Sequence, residues 1–127
     1  MAEKALVEVD LGKAERIVSA LEKGGVRVAL AVWAVFPEYD DWRLVLAART
    51  LDSLSLGDAY LRIDRIFRDA GLNFRETPTI LIMKTTDPFV RSLRKAFGKT
   101  GNVVGMRLGG QAFGGRIMDD AYAYKIA

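Results

Sequence analysis

The chain has 127 residues, of which 50% are apolar and 28% are charged, and its formal net charge is +3. This length and this balance predict one globular domain over residues 1–127 and argue against intrinsic disorder. Because the chain contains neither cysteine nor histidine, it cannot form a thiolate nucleophile, an imidazole base, a Ser-His-Asp triad or a zinc site of the Cys/His type.

The first part of the chain predicts a helix followed by a β-hairpin. Apolar residues recur every three or four positions over 11–23, with Asp10 at the N-cap position and two glycines at 24–25 to end the helix. Two apolar segments, 26–36 and 42–49, follow and are joined by a short link rich in turn-forming residues. They predict two antiparallel strands, the first of which is covered on both faces.

The middle of the chain predicts a second helix and a third strand. Ser55 and Asp58 have the spacing of a capping box, with Asp in place of the preferred Glu. An apolar stripe follows at helical spacing, and Gly71 ends the helix. The apolar segment 79–84 then predicts a short strand.

The last part of the chain predicts a third helix and further strands. An Asp-Pro pair at 87–88 is typical of a helix N-terminus, and Gly98 ends that helix. Segments 103–108, 112–118 and 121–126 predict strands separated by glycine turns. The element order is therefore α-β-β-α-β-α-β-β, with room for one more strand, and the fold class is α+β, with three helices packed on an antiparallel or mixed sheet.

No apolar run approaches the roughly 20 residues that a membrane helix needs, because Arg27 interrupts the most apolar segment. The N-terminal residues lack the basic start, apolar centre and cleavage site of a secretory signal. We therefore expect a cytoplasmic protein that does not contact a membrane.

Basic residues are concentrated in one part of the sequence. Residues 1–83 carry a net charge of −2, whereas residues 84–116 contain seven basic residues and one acidic residue. Such a patch can contact phosphates or an acidic partner, and a solvated helix face with cations near its C-terminus is the alternative. The candidate contacts to an anion or a nucleic acid are Lys84, Arg91, Arg94, Lys95, Lys99, Arg107 and Arg116.

Neighbouring carboxylates occur twice, at Asp40 and Asp41 and again at Asp119 and Asp120. Both pairs lie in predicted turns, where aspartate is favoured because its side chain bonds to nearby backbone groups. We therefore predict solvated turn residues, no metal site and no cofactor. The glycine-rich segment 98–101 lacks the earlier glycine and the strand-to-helix context of a phosphate loop.

Aromatic residues are concentrated in the first hairpin and the last strand. Most are expected to pack in the core, and an exposed cluster of them would indicate an oligomer or partner interface. The number of apolar strand faces, relative to the helices available to cover them, predicts a homodimer. The aromatic residues are Trp33, Phe36, Tyr39, Trp42, Tyr122 and Tyr124.

A pattern of five segments runs through the chain, namely Trp33 with 36–38 (Phe-Pro-Glu), 42–47 (Trp-Arg-Leu-Val-Leu-Ala), Ala59 and Tyr60 with Ile63, 87–94 (Asp-Pro-Phe-Val-Arg-Ser-Leu-Arg) and 120–124 (Asp-Ala-Tyr-Ala-Tyr). This pattern resembles a group of small bacterial proteins of unknown function and covers most of the chain from residue 29 onward. The resemblance implies a bacterial, cytosolic origin, and it implies no activity, cofactor or catalytic residue.

Three functions stay open. The lack of a convergent catalytic set favours a non-enzymatic binding or regulatory module that acts through protein–protein association, as a homo-oligomer or with another protein. A weak nucleic-acid or polyanion binder that uses the basic segment 84–116 is the alternative. A hydrolase that uses carboxylates and a hard metal is the third, with Asp119 and Asp120 as its candidate residues.

Overall fold

The structure is a computed structural model that describes residues 6–38, 41–72, 79–100 and 102–127. These residues form four helices and six strands. In chain order the elements are α1 (Leu6–Lys23), β1 (Leu30–Val35), β2 (Arg43–Ala47), α2 (Arg49–Asp52), α3 (Leu56–Asp69), β3 (Thr79–Ile82), α4 (Pro88–Phe97), β4 (Ala112–Phe113), β5 (Arg116–Ile117) and β6 (Asp120–Ile126).

Four of the strands form one mixed sheet in the order β3-β2-β1-β6. β1 pairs antiparallel with β2 and β6, whereas β2 and β3 are parallel because α2 and α3 carry the chain back between them. β4 and β5 form a separate antiparallel hairpin. The predicted α+β class and mixed sheet are confirmed. The described residues also contain the short helix α2, which has no side-chain cap and was not predicted.

Both faces of the sheet are covered by other elements. Leu30, Val32 and Ala34 of β1 pack in one apolar core with residues of α4. Ala31 and Trp33 point the other way and pack in a second core with residues of α1 and α3. All five side chains are buried, which confirms the prediction of a first strand covered on both faces.

The predicted N-termini of the two later helices are confirmed. Ser55 Oγ accepts a 3.2 Å hydrogen bond from the backbone N–H of Asp58 at the start of α3. The Asp87 carboxylate accepts one of 2.9 Å from the N–H of Phe89, and Pro88 takes the first position of α4. Both helices therefore begin where side-chain oxygens satisfy backbone donors that have no partner within the helix.

The predicted start of the first helix is wrong. α1 begins at Leu6, so Asp10 lies inside the helix instead of capping it. Val7 precedes Leu11 by four positions, and the helical periodicity that therefore continues upstream outweighs the capping preference of Asp10. The predicted end is confirmed, because Gly24 follows α1 directly and the next residue, Gly25, adopts a φ of +91°.

The predicted strand 103–108 is absent, and this segment instead runs beside β6. It makes one isolated bridge, from Arg107 to Tyr122, and the N–H groups of Gly105 and Leu108 donate to β6 carbonyls at 2.8 and 2.9 Å. Gly105 has a φ of +81°, which interrupts the extended backbone that a strand requires. The segment therefore covers the outer edge of β6 without extending the sheet regularly.

The predicted strand 112–118 is divided into β4 and β5. Gly114 and Gly115 have φ values of 58° and 79°, and together they reverse the chain direction. The single strand 112–118 is therefore wrong, whereas the expectation that glycines form tight turns in this part of the chain is confirmed.

A side chain from α3 covers the outer edge of β3. The Tyr60 hydroxyl donates to the Ile80 carbonyl and accepts from the Ile82 N–H, both at 3.1 Å. The next residue, Met83, points its N–H the other way and donates to the Leu46 carbonyl of β2. Backbone groups along β3 thus alternate between bonding to β2 and facing outward toward Tyr60. Another strand can therefore pair with this edge only by displacing the tyrosine.

Candidate functional site

Two of the predicted cations lie on the solvent side of α4, and a third follows the helix directly in the chain. Its buried residues contact the sheet, and Arg91 and Lys95, four positions apart, are exposed on the opposite side. With Pro88 and Ser92 they line a shallow depression of about 340 Å³. Lys99 follows Lys95 by four positions, just beyond the end of the helix, and is also exposed. We call Arg91, Lys95 and Lys99 the basic face.

Two other predicted contacts are neutralised within the chain. Arg107 makes a bidentate ion pair with Asp120, with distances of 3.0 Å from Nε and 2.8 Å from Nη2. Arg116 pairs with Glu38 at 3.1 Å. Because each guanidinium already has a carboxylate partner, these two residues contribute little to an anion site.

The remaining two predicted contacts lie apart from the basic face. Arg94 is half-buried, and its Nε donates a 2.7 Å hydrogen bond to the carbonyl of Ala127. Lys84 is exposed at the carboxyl end of β3 and lines a different cavity from Arg91. The structure therefore separates the seven predicted residues, and three of them remain together on one surface.

The cavity beside Lys84 lies where the parallel strands β2 and β3 end. The chain leaves β2 toward the α3 side of the sheet and leaves β3 toward the α4 side. In many open sheets a ligand binds in the crevice between two strands whose connections diverge in this way. Here the Asp52 carboxylate accepts hydrogen bonds from the Thr85 hydroxyl and, at 2.9 Å, from the Thr85 N–H. The cavity measures only about 50 Å³, room for a water molecule or two and for no organic ligand.

A larger groove lies between the C-terminal part of α1 and α3, with a volume of about 860 Å³. We call it the α1–α3 groove. Gly24 allows the end of α1 to approach α3, since a Cβ at this position would lie 2.9 Å from Cγ1 of Ile66. Leu61 lines the groove with 66% of its surface exposed, and Leu54 and Ala70 add apolar surface beside it.

Four charged residues of α3 line the same groove in a symmetrical order. Along the helix they are Asp58, Arg62, Arg65 and Asp69, so two cations lie between two carboxylates. None of the four has an ion-pair partner among the residues that the structure describes. The sequence prediction missed this groove because it depends on how α1 and α3 pack, which neither helix reveals alone.

The carboxylate pairs do not form a metal site in the described part of the chain. Asp119 is exposed, Asp120 is held by Arg107, and Asp41 is paired with Arg43 at 3.4 Å. Asp40 lies outside the described residues. Across the residues described, no three His, Cys, Asp or Glu side chains come together in a way that could hold a metal ion.

The aromatic residues do not form an exposed cluster among the residues described. Trp33 and Phe36 are buried in the two cores. Trp42 stacks on the buried Tyr122 with ring centroids 5.7 Å apart, and Tyr39 lies outside the described residues. An interface must therefore be sought on other surfaces, and the α1–α3 groove with its exposed Leu61 is one of them.

No family model matches the chain, and no curated protein or solved structure is significantly similar to it. The resemblance to a group of small bacterial proteins therefore stays a prediction. Within the described ranges, none of the helices has the length and apolar character needed to cross a bilayer.

Proposed function

We propose that this protein is a small non-enzymatic binding module that acts through protein–protein association, and that the α1–α3 groove binds a second copy of the chain. The observation that carries this proposal is the exposure of Leu61, at 66%, in an open groove that Leu54 and Ala70 also line. Full burial of one leucine side chain contributes about 1.5–3 kcal/mol, and a two-fold interface uses every contact twice.

The charge order on α3 supports a second copy as the partner. Arg62 and Asp69 are seven positions apart, which puts them on the same side of the helix. In an antiparallel arrangement of two α3 helices whose two-fold axis lies between residues 65 and 66, Arg62 faces Asp69 of the partner subunit, and Asp69 faces Arg62 of the partner subunit. Two of the four unpaired charges of one copy, Arg62 and Asp69, thus find opposite charges on the other.

The sheet edges support association through helices as opposed to strands. The Tyr60 hydroxyl occupies the outward backbone groups of β3, and segment 103–108 runs along the outer edge of β6. Extension of the sheet across two copies would have to break these contacts first. A helical face such as the α1–α3 groove requires no such rearrangement.

The test is the oligomeric state measured by sedimentation velocity over a concentration series. We expect a dimer at micromolar concentration and a monomer for Leu61→Asp, because this change places a charge at an apolar contact of the interface. Ile117→Asp is the matched control, since Ile117 is 55% exposed on the β4–β5 hairpin, and it should leave the dimer intact.

Charge exchange tests the antiparallel arrangement itself. Arg62→Glu and Asp69→Arg should each weaken the dimer by about tenfold, and the double variant should regain most of the affinity because the pair is restored in the opposite sense. A wild-type monomer at every concentration, or a dimer that is indifferent to Leu61→Asp, would overturn the proposal.

A further inference from the structure

The basic face of α4 differs from an ordinary solvated helix face, because no carboxylate accompanies its cations. α4 itself contains no acidic residue, and the carboxylate of Asp87 that precedes it is engaged with the Phe89 N–H. Arg91, Lys95 and Lys99 have no ion-pair partner among the described residues, whereas Arg107 and Arg116 both have one.

The helix dipole accounts for only part of this arrangement. Lys95 and Lys99 lie near the C-terminus of α4, where the partial negative charge of the helix favours cations. Arg91 is the fourth of the ten residues of α4, in the half of the helix where the dipole does not favour a cation, yet it shares the same depression as Lys95. A ligand of several negative charges would relieve the repulsion among the three cations.

We propose that the basic face binds the phosphate backbone of a nucleic acid without reading its sequence. Arg91 and Lys95 are four positions apart, a rise of about 6 Å along α4, and the exposed Lys99 follows just after the helix ends, so phosphates of one strand can contact successive cations. The depression between them is lined by Pro88 and Ser92 and contains no aromatic ring on which a base could stack. Contacts to phosphate position a nucleic acid but do not specify its bases.

This proposal does not depend on self-association, because the basic face and the α1–α3 groove lie on opposite sides of the sheet. Three phosphate contacts predict a salt dependence of defined size. A plot of log affinity against log salt should have a slope of about −2 for a single strand and about −2.7 for a duplex.

The experiment is fluorescence anisotropy of labelled oligonucleotides, both single- and double-stranded, in two unrelated sequences. The salt series starts at about 50 mM. We expect binding of both sequences with equal affinity. The variant Arg91→Gln, Lys95→Gln, Lys99→Gln should lose about tenfold or more in affinity and most of the salt dependence. The variant Lys95→Arg, Lys99→Arg keeps the charges and should retain binding, and circular dichroism confirms that both variants are folded.

A matched control separates the basic face from the net charge of the protein. The control variant removes an equal number of positive charges, three, from exposed positions outside α4 and should keep most of the affinity. Its substitutions are Arg16→Gln, Arg27→Gln and Arg49→Gln. The proposal is overturned by the absence of binding at the lowest salt, by equal losses in the two triple variants, or by polyglutamate competing as well as the oligonucleotide.

Discussion

Gly114 shows how a single residue determines the contact between the β4–β5 turn and α4. Its φ is +58°, and a Cβ at this position would lie 2.4 Å from the carbonyl carbon and oxygen of Pro88. We predict that Gly114→Ala lowers the free energy of unfolding by at least about 3 kcal/mol, since backbone strain and a backbone clash combine. Chemical denaturation measures this loss.

The neighbouring Gly115 provides the control for Gly114. Its φ is +79°, but a Cβ there meets nothing within 4 Å. Gly115→Ala should therefore cost only the strain of the left-handed conformation, about 1–2 kcal/mol. Equal losses in the two variants would mean that the turn moves away from α4 without cost.

Glu22 and Lys125 form a contact between α1 and β6, at 2.7 Å between Oε2 and Nζ. The hydrogen bond from Lys125 lowers the pKa of Glu22, and this effect outweighs the opposing effect of partial burial. We predict that Lys125→Met raises the Glu22 pKa toward its ordinary value, as measured by NMR titration of the side-chain carboxyl.

The same pair has a defined pH dependence. A carboxyl group whose pKa is lower in the folded state stabilises the fold above its unfolded pKa, and this contribution is lost as the pH falls through the folded pKa. The stability difference between the wild type and Lys125→Met should therefore disappear at acidic pH. A difference that persists there would assign the effect to packing of the lysine side chain.

At the scale of elements, Tyr60 connects α3 to the edge of β3. We predict that Tyr60→Phe lowers the free energy of unfolding by about 1–3 kcal/mol, because the Ile80 carbonyl and the Ile82 N–H lose their partner. Light scattering on storage should also increase, since the uncovered edge can pair with other chains. The control is Tyr124→Phe: no hydrogen bond involves the hydroxyl of Tyr124 in the residues described, so this variant should differ little from the wild type.

The elements also show which features a sequence predicts well. α3 and α4 were located correctly because Ser55 and Asp87 supply local capping bonds that depend on neighbours two or three positions away. The segment from 103 to 118 was mispredicted because glycine φ values and packing against β6 decide its path. Local chemistry is readable in the sequence, whereas a backbone shaped by distant contacts is not.

The candidate sites follow the same rule. Charge counting located the basic segment, but it could not tell that Asp120 and Glu38 neutralise two of its arginines. The Asp52–Thr85 pair joins residues 33 positions apart, and no signal in the sequence connects them.

At the scale of the whole molecule, one sheet separates two apolar cores. Ile17 belongs to the core under α1 and α3, and Ile126 belongs to the core under α4. We predict that Ile17→Val and Ile126→Val each cost about 0.5–1.5 kcal/mol and that the double variant costs their sum to within about 0.5 kcal/mol. Urea denaturation of the wild type, the two single variants and the double variant completes the double-mutant cycle. A large coupling energy would mean that the sheet transmits packing changes between its faces.

The position of the sheet between α3 and α4 has a consequence for avidity. A dimer joined through α3 carries its two α4 helices on outward surfaces, so one particle presents two basic faces in different directions. A long nucleic acid that reaches both faces gains a second attachment at a high effective concentration, which can strengthen binding by about 10²- to 10⁴-fold, whereas a short oligonucleotide gains nothing. The affinity of the dimer should therefore rise steeply above a threshold in oligonucleotide length, and the monomeric Leu61→Asp variant should show no such threshold.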